Sequence, residues 1–192
     1  MGEEIEAKVR IEAPVEFRRL LEERFGPTGS TVLEVNRLFD DAAATLRRQG
    51  AALRVRAETD AETGLAARAT LTYKGPVLES EFKRRPEHNV IVDSADRIVA
   101  VLEAIGLVEV FRYEKRRTAW HSGDCEVTLD ELPHIGWFAE VEGPTEKSVR
   151  KVLRDVGLSD LPTIAKSYIG LLAEHLEMAG LDPKRAVFAE KE

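Results

Sequence analysis

The chain has 192 residues and a mass of 21.4 kDa, which suits one compact domain or at most two small ones. It is 43% hydrophobic and 33% charged, enough apolar material for a core and too much for a disordered tail. A net charge of −7 argues against a general nucleic-acid binder, and one cysteine, Cys125, excludes an internal disulfide and offers no zinc spacing. No apolar run approaches the ~20 residues of a membrane helix. The acidic opening Met1 to Glu6 lacks a signal-peptide apolar region, so a soluble cytoplasmic protein is expected.

Glu4 to Glu12 alternates strictly, with Ile5, Ala7, Val9 and Ile11 in one phase and Glu4, Glu6, Lys8 and Arg10 in the other, the mark of a strand. Pro14 opens a helix carrying Phe17, Leu20, Leu21 and Phe25, closed by Gly26-Pro27. A strand over 31–40, a short helix over 42–49 and strands over 51–57 and 69–74 follow, the last two joined by a polar hairpin loop. Residues 79–92 are extended, with Pro86 marking a bulge, break or edge position. Ser94 caps a helix through Ala104, and strands are predicted over 107–121, 125–132 and 137–142. Helices over 144–156 and 165–179 complete a single α+β domain of residues 1–179. A polar tail, 180–192, follows it.

The informative feature is the phase opposite the apolar one. It is ionisable on strand after strand: Glu4, Glu6, Lys8, Arg10; Arg54, Arg56; Glu79, Glu81, Lys83, Arg85, Glu87; Lys115, Arg117; Glu126, Asp130; Glu140, Glu142. Two architectures produce this pattern. One is a solvated sheet face laced with weak cross-strand ion pairs. The other is a sheet curled around its own charges, with helices covering the apolar outside; such an interior needs ligands, metals or mutual pairing. Glu-x-Glu on a strand sets two carboxylates on one face, suited to hard divalent cations such as Mg²⁺ or Mn²⁺. Arg-x-Arg and Lys-x-Arg suit phosphate oxygens. Together they are the inventory of metal-assisted phosphoryl or nucleotidyl transfer.

Glu4-Ile5-Glu6-Ala7-Lys8 resembles the ExExK signature of the CYTH superfamily, the triphosphate tunnel metalloenzymes. The resemblance continues in family order through Leu38-Phe39-Asp40, Leu53-Arg54-Val55-Arg56, Tyr73-Lys74-Gly75-Pro76, Glu114 to Arg117, Leu129 to Leu132, Gly136 to Glu142 and Lys166-Ser167-Tyr168. It implies a closed eight-stranded antiparallel β-barrel, or tunnel, with a charged lumen and helices packed outside. It implies that Glu4, Glu6, Asp130, Glu140 and Glu142 hold Mg²⁺ or Mn²⁺. Lys8, Arg54, Arg56, Lys74, Arg85, Lys115, Arg117 and Lys166 would bind phosphate oxygens, with Lys8, Glu4 and Glu6 at the catalytic centre. That ligand set carries more bases than acids, which would leave the −7 mostly on the outer surface.

The implied reaction is divalent-metal-dependent hydrolysis of inorganic or nucleoside triphosphate. The alternatives are the class IV adenylate cyclase reaction and a non-catalytic phosphate-binding module. Thiamine triphosphatases of the family use a Tyr on the second strand where this chain reads Leu38-Phe39, which disfavours that substrate. The expected partner is a triphosphate-bearing small molecule, with no nucleic acid and no membrane; a monomer and a homodimer both remain open. His88, His121, His134 and His175 lack metal-ligand spacing and read as surface or loop residues, and Cys125 reads as a small core residue.

Overall fold

The computed structural model describes residues 2–27, 31–78 and 82–189, with the side chains of residues 2–4, 83 and 84 left aside. The period-two segments all become strands: β1 (Gly2–Ile11), β2 (Val32–Asp40), β3 (Ala52–Asp60), β4 (Ala66–Lys74), β5 (Lys83–Val92), β6 (Val108–Ser122), β7 (Cys125–Leu132) and β8 (Gly136–Gly143). The helices are α1 (Pro14–Phe25), α2 (Thr45–Arg48), α3 (Ala95–Ala104), α4 (Glu146–Asp155) and α5 (Tyr168–Ala179). Three helix starts are capped as their sequences dictate: Ser94, Thr145 and Ser167 each accept a first-turn backbone N–H. No helix among the described residues is long and apolar enough to cross a membrane.

The result is an α+β fold built on one curled antiparallel sheet. Its order is β2-β3-β4-β5-β1-β8-β7-β6, and β2 also pairs with β6, Val32 opposite Arg117 through Asp40 opposite Val108. Each of the eight strands therefore has two strand neighbours.

Pro86 neither breaks β5 nor sits on a free edge. Through residues 83–87 the strand pairs with β1, and through 87–92 with β4. The carbonyl of Pro86 accepts the Gly75 N–H at 2.9 Å, on the side where β4 has already ended at Lys74. The missing N–H of the proline points to that same side, where no ladder bond is required of it.

The outward phases of β1, β7 and β8 (Ala7, Val9, Val127, Leu129, Ala139 and Val141 among them) pack under Phe17 and Leu21 of α1 and Val149, Val152 and Leu153 of α4. Trp120 and Cys125 are buried in this layer. A smaller layer joins Val99 and Leu102 of α3 to Phe39 and Val55. The third apolar cluster departs from expectation. Leu38, Leu132 and Phe138 share the phase of the charged residues, yet they pack with Tyr168, Leu172 and Leu176 of α5. One helix thus covers the inner face where β2 and β7 finish, rather than lying wholly outside.

The closing segment also docks. Arg185–Ala186 forms a short strand β9, parallel to β6 beside Arg112 and Tyr113, and Ala186 is fully buried. Phe188 donates its N–H to Glu114 at 2.9 Å, and its ring lies 3.9 Å from the Arg116 guanidinium carbon. Among its described residues, Ala186 is buried and Val187 and Phe188 are half-buried, between polar neighbours that give the segment its polar composition.

Candidate functional site

Register places the charged phases side by side on the inner face. Across β1, β8 and β7, Glu6 is opposite Glu142 and Glu142 opposite Glu126; one step on, Lys8 is opposite Glu140 and Glu140 opposite Thr128. Arg117 is opposite Asp130. Lys115 is opposite Glu34, and Asn36 is opposite Arg56. Lys74 is opposite Glu87, and Arg85 opposite Glu4. The side chain of Glu4 lies outside the described residues, as do Glu79 and Glu81.

The inner charges are linked into a continuous chain. Lys8 Nζ, 2% exposed, lies 3.1 Å from Glu140 and 3.5 Å from Glu6. Arg117 Nη2 lies 2.5 Å from Glu140 and 2.6 Å from Asp130. Lys115 Nζ bridges Asp130 at 3.2 Å and Glu34 at 3.4 Å, and Arg56 reaches Glu34 at 3.1 Å. A separate ion pair joins Lys74 and Glu87. Arg54 is held near Arg56 and Tyr113, and burial and the Arg56 charge push its guanidinium pKa down. The Nε of Arg54 is buried with no hydrogen-bond partner among the described residues, a donor suited to a phosphate oxygen.

Two of the expected ligands have other partners. Asp130 is fully buried among donors: Arg117 Nε at 2.7 Å, Arg117 Nη2 at 2.6 Å, Lys115 at 3.2 Å and the Tyr168 hydroxyl at 2.9 Å. Its setting is that of an acid orienting cations. Lys166 turns to Glu174 on α5, 2.8 Å away, and its side chain is 49% exposed. What Lys166 supplies to the interior is its backbone carbonyl, which accepts from Lys8 Nζ at 3.4 Å.

Glu34 and Asn36 are not among the residues expected in the site, and Tyr168 enters only through the Lys166-Ser167-Tyr168 resemblance, with no role assigned to it. Glu34 and Asn36 lie in the polar phase of β2, so the alternation that exposed Arg54 and Arg56 marks them too. With Glu34, Glu58, Glu87 and Glu126 also inside, the expected surplus of inner bases largely disappears. Burial alone would raise the Glu34 carboxyl, but Lys115, Arg56, Arg117 and Arg54 outweigh it and hold its pKa far below the carboxylate range. Burial likewise opposes the charged form of Lys8, and Glu140 and Glu6 overcome it, so Lys8 stays protonated with a raised pKa.

A depressed carboxylate pKa contributes stability that is complete above the unfolded value, about 4.3, and is lost as pH falls below it. Wild type should therefore lose stability more steeply than Glu34→Gln between about pH 4.3 and pH 2, read by urea unfolding at each pH.

Among the described residues no three His, Cys, Asp or Glu side chains are gathered as a metal cage. The donor chemistry nevertheless fits a hard divalent cation. Glu6, Glu142 and Glu126 hold directly paired positions on three adjacent strands, and carboxylate oxygens are the donors a hard divalent cation takes.

The fold and this site define a class: an α+β protein that curls one antiparallel sheet around its charges and keeps most of its apolar phases under helices. The CYTH domain family model matches residues 2–168, and the chain belongs to that family. A Methanocaldococcus jannaschii protein named "Putative adenylate cyclase" is 26% identical over 110 residues, which are 53% of this chain and 63% of that protein. The chain thus spans less than two thirds of the length of this curated relative. The solved structure of the PH1819 protein of Pyrococcus horikoshii matches with a TM-score of 0.76 at 24% identity, over 89% of this chain and 98% of that one. HpAC1 of Hippeastrum, described as a "putative adenylyl cyclase" with a dominant triphosphatase activity, matches with a TM-score of 0.62 at 19% identity, over 95% and 97%. At these identities the solved structures show likeness of fold.

Proposed function

We propose that this protein hydrolyses the phosphoanhydride chain of inorganic or nucleoside triphosphate, with Mg²⁺ or Mn²⁺, inside a closed β-tunnel. The observation that carries this reading is the set of cations converging from three strands on one face: buried Lys8 on β1, half-buried Arg54 and Arg56 on β3, and buried Lys115 and half-buried Arg117 on β6. Inner carboxylates pair these cations and hold them on one face, and guanidinium and ammonium groups aligned in this way suit the oxygens of a polyanion. Membership of the CYTH family and the activity ascribed to HpAC1 favour hydrolysis as the reaction.

Glu6, Glu140 and Glu142, with Glu4 and Glu126, would hold the metal. When bound, it would polarise phosphate oxygens and lower the pKa of a bound water. The chain's own residues do the rest. The Arg54, Arg56 and Arg117 guanidiniums grip phosphate oxygens, and Lys8 and Lys115 stabilise the negative charge that builds on the leaving phosphate. Water adds to the terminal phosphorus, the bridging P–O bond breaks, and the water proton passes through an inner carboxylate to solvent.

The test is incubation of purified protein with inorganic triphosphate, and separately with ATP, in Mg²⁺ or Mn²⁺, resolving all products. Orthophosphate release that disappears with EDTA and in Glu4→Gln/Glu6→Gln is the expected result. Cyclic AMP with equal pyrophosphate from ATP would replace hydrolysis by cyclisation. Binding without turnover would leave a phosphate-binding module.

A further inference from the structure

Tyr168 is the first residue of α5 and is buried. Its hydroxyl donates to Asp130 Oδ2 at 2.9 Å, the oxygen that also receives Lys115 Nζ and Arg117 Nη2. Its ring faces two of the buried ammonium groups, with Lys8 Nζ 4.2 Å and Lys115 Nζ 5.3 Å from the centroid. Phe138 meets it edge-on at 5.4 Å.

The approach to α5 is fixed from both sides. The Ile164 N–H donates to the Lys8 carbonyl at 2.8 Å, and Ser167 caps the helix through the Gly170 N–H. One side chain therefore touches, directly or through Asp130, three of the cations assigned to phosphate.

We propose that Tyr168 is a positioning residue that orients Lys8, Lys115 and Arg117 for a triphosphate ligand, its hydroxyl acting through Asp130 and its ring through cation–π contact. This role rests on the function proposed above. The physical need is specific. A lysine has several rotamers of similar energy, and among mixed charges it can settle on the nearest carboxylate instead of facing a ligand. The Tyr168 hydroxyl shares Asp130 Oδ2 with Arg117 Nη2, at 2.6 Å, and with Lys115 Nζ, at 3.2 Å, and so fixes the acid against which both cations are set. An aromatic face holds an ammonium in place without neutralising it.

The test compares Tyr168→Phe and Tyr168→Leu with wild type in turnover of inorganic triphosphate, alongside thermal unfolding. The Phe variant keeps the ring and packing, so its unfolding midpoint should stay close to wild type. Its kcat/KM should fall about tenfold, as for loss of one hydrogen bond to a charged acceptor, with part of the fall in kcat because Lys8 and Lys115 act on the charge that builds on the leaving phosphate. The Leu variant should lose more, and the upfield ring-current shift of the Lys8 Cε protons should vanish in Leu and persist in Phe. A Phe variant with wild-type kcat/KM, or a Leu variant that retains the Lys8 shift, overturns the role of Tyr168 alone. A wild type that neither binds nor hydrolyses triphosphate overturns the proposed function, and this role with it.

Discussion

Lys115→Met is expected to remove triphosphate turnover and to destabilise the protein by about 3 kcal/mol, the lower end of the range for breaking a buried ion pair. Lys115 stands between Glu34, 1% exposed, and Asp130, fully buried. Methionine fills a similar volume but carries no charge, so both acids lose a partner they cannot replace with water. The loss stays near the lower end because Arg56 and Arg117 still reach Glu34, and Arg117 and Tyr168 still hold Asp130.

The double variant Lys115→Met/Glu34→Leu separates the two effects. Replacing a whole buried pair with apolar groups is often neutral, but Glu34 also pairs with Arg56 and Arg117, so only part of the lost stability should return. Turnover should not return, because the phosphate-facing charge is still missing. Urea unfolding and orthophosphate release on the two variants decide it. A single variant with wild-type turnover would take Lys115 out of the phosphate-binding set.

The strands were readable from the sequence because a half-buried strand has a strict period of two, which β1 keeps along its length, β7 keeps as far as Asp130 and β8 keeps from Ala139. The same period correctly placed Arg54, Lys115 and Glu140 on one side of the sheet. It could not choose partners. Alternation gives Asp130 and Glu140 the same face, while only the curl of the sheet decides that Asp130 is surrounded by Arg117, Lys115 and Tyr168. Lys166 was beyond the rule altogether, because it precedes a helix and its direction follows Glu174 two turns along α5. The inward position of α5 was hidden for a related reason. Leu38, Leu132 and Phe138 are apolar residues in a charged phase, and only the three-dimensional end of the sheet shows what they pack against.

The carboxylate row should trade stability against function. Glu6 and Glu142 are directly opposite on β1 and β8, and Glu126 is opposite Glu142 on β7. Lys8 lies 3.5 Å from Glu6, so the row is partly compensated, but like charges in directly paired positions are still destabilising. Glu6→Gln/Glu142→Gln should therefore be as stable as wild type or slightly more so in EDTA. Wild type should gain stability on addition of Mn²⁺ or Mg²⁺, by about 2.7 kcal/mol at a hundred times the dissociation constant. The double variant should lose that gain, and its turnover should fall by at least about a hundredfold, the scale of losing an electrostatic contribution to the transition state. Unfolding midpoints with and without each metal, beside turnover, read both predictions. A variant that is less stable in EDTA and still gains stability from metal would move the metal away from this row.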